Sequence, residues 1–200
     1  MNENDTYLPN RIIRSFLPTA FRKENAMTEY VLKSLGEALL ELMKTKDMDK
    51  ITIDELTGKA RVGRATYFRN FRSKEELLTD YLVWKWRGYE KEYRLKDHPV
   101  NDLYRIRQYF LHCYSMRDVF SVILKQKLSG IILNAYEIVF SNSDTDKIND
   151  SYEIIYMAYG LFGIVMKWAK NEYREPPEEM ADIFFNHIIK DHDLNAFKNL

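Results

Sequence analysis

The chain has 200 residues, of which 46% are hydrophobic and 14% aromatic, enough to bury the core of one or two domains and too apolar for a disordered polar chain. Its 30 basic and 30 acidic residues cancel, which excludes a uniformly basic coat, so any affinity for nucleic acid requires charge segregated along the chain. The single cysteine, Cys113, excludes an intramolecular disulfide and fits a reducing compartment, where a small buried hydrophobe is its simplest role.

Residues 1–26, with Pro9 and Pro18, read as an N-terminal extension. Arg11 and Arg14 suit a basic arm in a minor groove, but Glu3, Asp5 and Glu24 nearly balance the extension's cations, so a plain tail is the simpler reading. Arg14 and Pro18 interrupt its apolar run, so no signal peptide is expected. No apolar run reaches the ~18 residues of a membrane span, and a cytoplasmic location without membrane contact is expected.

Residues 27–75 read as a helix-turn-helix domain. From Met27 to Lys46 the apolar residues Val31, Leu35, Leu39 and Leu42 recur every three or four positions, one stripe on a first helix. Thr52 and Glu55 have the spacing of a capping box, and Ile53, Leu56 and Ala60 supply the inward face of a short second helix. Gly63 supplies the backbone freedom that a tight turn needs. In the third helix, at about 100° per residue, Tyr67 and Phe71 share one side and Ala65 and Arg69 the other, flanked by Arg64, Thr66 and Phe68. The charges from Lys59 to Lys74 are all positive: Lys59, Arg61, Arg64, Arg69, Arg72 and Lys74. The last sixty residues, by contrast, are acid-rich.

Residues 76–200 read as a helical regulatory and dimerisation domain. Ser73 and Glu76 repeat the capping-box spacing before a long fourth helix through Leu77, Leu78, Tyr81, Leu82, Trp86, Tyr89 and Tyr93. Pro99 marks a break, and further helices are expected at about 101–113, 116–126, 128–141, 148–171 and 177–190. No strand alternation appears, so the expected fold class is all-α.

The stretch TIDELTGKARVGRATYFRNFRSK, from Thr52 to Lys74, resembles the helix-turn-helix of TetR-type (TetR/AcrR) transcriptional regulators. Thr52, Ala60, Val62, Arg64, Thr66, Phe71, Ser73 and Lys74 fall on that family's positions in register. Arg61 stands at the usual turn glycine, Gly63 at the N-cap serine, Ala65 at a glycine, Phe68 at a phosphate-binding tyrosine and Asn70 at a histidine. Arg61 therefore inherits a position that calls for positive φ, costly for a side chain. The resemblance implies a homodimer on double-stranded operator DNA, a repressor released by a small-molecule effector. The expected DNA-binding residues are Thr52, Arg61, Arg64, Ala65, Thr66, Tyr67, Phe68, Arg69, Asn70 and Lys74. Arg64 is the candidate for base edges; Thr52 and Lys74, at helix N-termini, are the candidates for phosphate.

The resemblance also implies a ligand cavity, placed here among the dense aromatics Tyr81, Trp86, Tyr89, Tyr104, Phe110, Tyr114, Phe120 and Tyr136, although such a stripe is more often plain core. The dimer interface is expected on the last two helices, through Ile155, Leu161, Phe162, Val165, Trp168, Phe184 and Ile188, with Gly160 and Gly163 allowing close approach. About half of that stripe would be core in any case. His98, His112, His187 and His192 have no metal-ligand spacing, and no phosphate loop or nucleophile elbow is present. No catalytic residue, metal or cofactor is therefore expected. The alternative is a helical interaction module of the same fold, controlled by a protein partner or no longer bound to DNA.

Overall fold

The computed structural model describes residues 26–99, 101–141 and 148–186. Within them lie nine α-helices and no strand: α1 (Ala26–Met43), α2 (Ile53–Ala60), α3 (Arg64–Asn70), α4 (Lys74–Glu92), α5 (Leu103–Ser115), α6 (Arg117–Lys125), α7 (Ser129–Ser141), α8 (Ile148–Lys170) and α9 (Pro177–Ile183). The all-α expectation holds. Short 3-10 turns, Met48–Lys50 and Leu95–Asp97, follow α1 and α4. The first helix stops at Met43, three residues before its expected end, and residues 44–46 turn back on Glu41 and Leu42 through backbone hydrogen bonds.

The stripe on α1 does what its period requires: Val31, Leu35 and Leu39 are buried, and the helix packs on α2, α4 and α6. Tyr81 of α4 lies so close to α1 that a Cβ at Gly36 would run into its ring, which makes glycine necessary there. The first half of α4 is buried, through Leu77, Leu78, Tyr81, Leu82 and Val83. Further along, α4 packs on α7, α7 packs on α8, and α9 packs on α5. One continuous apolar cluster runs from Leu35 and Leu56 to Ile132, Val165 and Phe184, so the small helices and the larger bundle share α4 as a common wall. The second half of α4 carries Trp86 and Tyr89, which meet α5 at Tyr109, His112 and Gln108.

Candidate nucleic-acid interface

The reader is built from its caps inward. Thr52 Oγ1 accepts from Glu55 N at 3.2 Å and Glu55 Oε2 accepts from Thr52 N at 2.8 Å, a complete capping box that seats α2. Lys46 Nζ donates to both carboxylate oxygens of Glu55, at 2.7 and 2.9 Å. That bond, followed by those from Thr52, pulls the Glu55 carboxyl down to about 2, so it stays ionised while Lys46 offsets its charge. At α4, Ser73 Oγ accepts from Glu76 N at 3.1 Å, but the Glu76 carboxylate accepts from Arg72 N at 2.7 Å, one residue ahead of the reciprocal bond that a full box would make.

The turn resolves the question posed by Arg61 and Gly63. Arg61 takes the left-handed conformation, φ 54° and ψ 41°, and closes α2 with its N–H on Gly58 O and Thr57 O. Gly63 sits at φ −64° and ψ 139°, ordinary extended backbone, where it N-caps α3 without a side chain. The special backbone therefore falls on the arginine, at a cost of about 1 kcal/mol, and Gly63 does not supply it.

Helix α3 divides as its period requires. Tyr67 is 1% exposed and Phe71 is buried with it, and the rings meet at 5.9 Å. Tyr67 was expected among the DNA-binding residues; enclosed in the core, it anchors the helix, and its ring has no route to a duplex. Desolvation pushes its hydroxyl up to about 12. Ala65 and Arg69 are exposed on the opposite face and Arg64 and Phe68 are exposed on its flanks, while Thr66 and Asn70 are half-buried. Asn70 turns its amide back onto Thr66 O at 2.7 Å. Arg61, Arg69 and Arg72 are exposed, with no ion-pair partner among the described residues.

Arg64 is held on two sides: its Nη1 meets Asp54 Oδ1 at 2.7 Å, and its guanidinium lies 5.5 Å from the centre of the Phe68 ring. Asp54 carried no sequence signal, since the pair spans two helices of independent register. Phe68, 57% exposed, is the large apolar side chain that α3 leaves in solvent.

Lys74 does not project outward. Its ammonium donates to the carbonyl oxygens of Met48, Asp49 at 3.3 Å and Ile51 at 2.7 Å, and so caps the turn that delivers the chain to Thr52.

The aromatic set expected to line one cavity is divided among several places. A cavity of about 50 Å³ between α4, α5, α6 and α7 includes Trp86, Phe120 and Tyr136 of that set, together with Tyr109, His112, Cys113 and Phe140. Tyr81 is wedged on Gly36 instead. Tyr89 stacks on Tyr93 at 4.3 Å and bonds Gln108, and Tyr104 is exposed at the surface. Phe110 and Tyr114 pack on Trp168, at 5.8 and 6.0 Å, on the far side of α5.

The residues expected at a dimer interface are divided as well. Leu161, Val165, Trp168 and Phe184 are buried within the subunit, because α8 and α9 turn those residues toward α5 and α7. Phe162 is half-buried against Tyr136, and Ile188 lies outside the described residues. Ile155 is exposed, and it shares the outer face of α8 with Tyr152, Tyr156 and Tyr159. Gly160 and Gly163 on that face look into open space. No helix among the described residues is long and apolar enough to cross a membrane, and no cluster of His, Cys, Asp or Glu among them could hold a metal.

Two family comparisons agree with this geometry. Residues 36–81, which span the end of α1 through the start of α4, match the family described as bacterial regulatory proteins, tetR family. Residues 103–190 match the one described as transcriptional regulator C-terminal region. No curated protein matches the chain significantly. A capped helix-turn-helix with a basic outer face, joined by a shared helix to a helical bundle and matched over both parts, places this chain in the TetR family of DNA-binding transcriptional regulators.

Proposed function

We propose that the protein is a homodimeric operator-binding repressor released by a small-molecule effector. The observation that carries this reading is the outer face of α3, where Arg64, Ala65, Phe68 and Arg69 stand clear of a core fixed by Tyr67 and Phe71. In a major groove, Arg64 reads a guanine edge, worth about 1–3 kcal/mol of discrimination. The exposed Phe68 ring meets a thymine methyl or a sugar. Thr52, Arg61 and Arg69 hold phosphates, while Thr66 and Asn70 border the contact. Lys74 acts through the Met48–Ile51 turn that positions Thr52.

One short helix offers too small a contact for specific binding, so two subunits share the site. The outer face of α8, with Tyr152, Ile155, Tyr156 and Tyr159 around Gly160 and Gly163, and Ile183 of α9 nearby, supports pairing with a second copy. The aromatic cavity beside α4 supports an effector whose occupancy biases the reader through that helix.

Selection from a randomised duplex pool tests the reading. The chain should enrich a two-fold symmetric motif, and its affinity should fall steeply with salt as phosphate contacts release counterions. Arg64→Ala should flatten one base position in each half-site. Enrichment of nothing, with no salt-dependent binding, refutes the reader and leaves the interaction-module alternative.

A further inference from the structure

The cavity between α4 and α7 has a specific polar inventory. Among its lining residues there is no carboxylate, ammonium or guanidinium. Its polar side chains are Tyr109 and Tyr136 with their hydroxyls, His112 with its imidazole, Cys113 with its thiol and Trp86 with its indole N–H. The two hydroxyl oxygens are 2.6 Å apart, so one donates to the other. The pair holds two protons and that bond uses one. The second meets the Cys113 thiol, whose Sγ lies 3.7 Å from the Tyr136 oxygen and which also contacts the Tyr109 hydroxyl, and a thiol sulfur is a weak acceptor. Burial keeps the whole wall neutral: it raises both tyrosines well above their ordinary range, pushes Cys113 up to about 12, and pulls His112 down to about 4 with Lys85 as a lesser cause.

We propose that this cavity takes an uncharged aromatic molecule bearing one hydrogen-bond acceptor oxygen, which takes over from the weakly accepting thiol the second proton of the Tyr109–Tyr136 pair. A carboxylate or ammonium group entering here would shed its hydration without a counter-charge. The rings of Trp86, Phe120 and Phe140 suit a flat partner. At about 50 Å³ the space is smaller than the ~150 Å³ apolar void that accommodates benzene, so a ring enters only by moving a wall. Leu82 and Trp86 of α4 are two of those wall residues, so occupancy and the placement of α4 are linked. A cation held on aromatic faces alone is the competing class.

The inference rests on the effector reading of the cavity, but its test is made on the free protein. Calorimetry of the full chain at pH 7 compares acetophenone, ethylbenzene, benzoate and benzylammonium. Acetophenone should bind at least about tenfold tighter than either ion, which lacks a counter-charge here, and about threefold or more tighter than ethylbenzene, which has no acceptor. In the double variant Tyr109→Phe/Tyr136→Phe, with folding checked by circular dichroism, acetophenone and ethylbenzene should bind alike. Binding of benzoate or benzylammonium as tight as that of acetophenone overturns the proposal, as does binding of none of the four. A preference for acetophenone that persists in the folded double variant also overturns it. The wild-type comparison of the four probes decides the charge class without any variant. Acetophenone binding with DNA affinity unchanged supports the ligand class and counts against the effector reading alone.

Discussion

Gln126, at the end of α6, caps Met43 at the end of α1: its Nε2 donates to Met43 O at 2.8 Å and to Lys46 O at 3.0 Å, while its Oε1 accepts from Met48 N at 2.8 Å. A helix end leaves carbonyls without intrahelical partners, and here a side chain from the larger bundle satisfies them. Both amide protons and the amide oxygen are engaged, so the bundle grips the segment leading to Thr52 through α6 as well as through α4. Gln126→Leu should lower stability by roughly 1–3 kcal/mol, because three backbone groups lose a partner. It should also weaken binding to every duplex alike and leave the selected motif unchanged, since no base contact is touched. Chemical denaturation and duplex titration check both; unchanged stability would show that water replaces the amide without loss.

Lys74 grips the same segment from the other side, through the carbonyls of Met48, Asp49 and Ile51. If its effect on DNA comes from holding this turn, Lys74→Met should lower stability by about 1–3 kcal/mol. The slope of log affinity against log salt should then stay as in the wild type. A direct phosphate contact predicts the reverse, little change in stability and a slope shallower by about 1. The two measurements on one variant separate the roles.

The contrast between Tyr67 and Lys74 marks how far the sequence could be read. Local periodicity placed Tyr67 and Phe71 on one side of α3 and Arg69 on the other, because 3.6 residues per turn is a property of the chain itself. The Thr52–Glu55 box was legible for the same reason. Where Lys74 points depends on carbonyls 23 to 26 residues away, and the Arg64–Asp54 and Gln126–Met43 contacts join elements whose packing no short window encodes. The stripe on α8 shows the limit most clearly. Its apolar residues were visible, but which of them turn inward, Leu161, Val165 and Trp168, and which outward, Ile155 and Tyr156, was fixed by the position of α5 and α7.

Arg61 has a left-handed backbone at the end of α2, where glycine is favoured. Arg61→Gly removes the side-chain penalty and restores some freedom to the unfolded chain, for a net gain in stability of roughly 0.5 kcal/mol. If the exposed guanidinium also meets a phosphate, the same variant should bind all duplexes more weakly, with a salt slope shallower by about 1. A more stable protein with weaker, less salt-sensitive binding is the expected pair of results. Unchanged binding would remove Arg61 from the interface, and a loss of stability would mean that the arginine is not strained.

His112 lies between the rings of Trp86 and Tyr89, with centroids 5.2 and 4.7 Å away. Burial, with Lys85 as the second cause, lowers its pKa to about 4 from the ordinary 6.5. Above pH 6.5 the imidazole is neutral both folded and unfolded, so the fold keeps its full stability there. As pH falls below 6.5 the unfolded chain takes up the proton first, and stability declines until the folded protein titrates near 4. Between pH 6.5 and 5 this one group should remove roughly 1.5 kcal/mol, in a window above that of Glu55, whose carboxyl is held near 2 in the fold. His98 is the other described histidine, half-buried with Nδ1 3.5 Å from Asp102, so the His112 contribution is isolated by difference. In His112→Phe, which keeps a ring in the same nest, the urea midpoint should fall less than in the wild type over that interval. Parallel curves for the two proteins would mean that the imidazole is protonated within the fold and that the cavity wall beside it is not neutral.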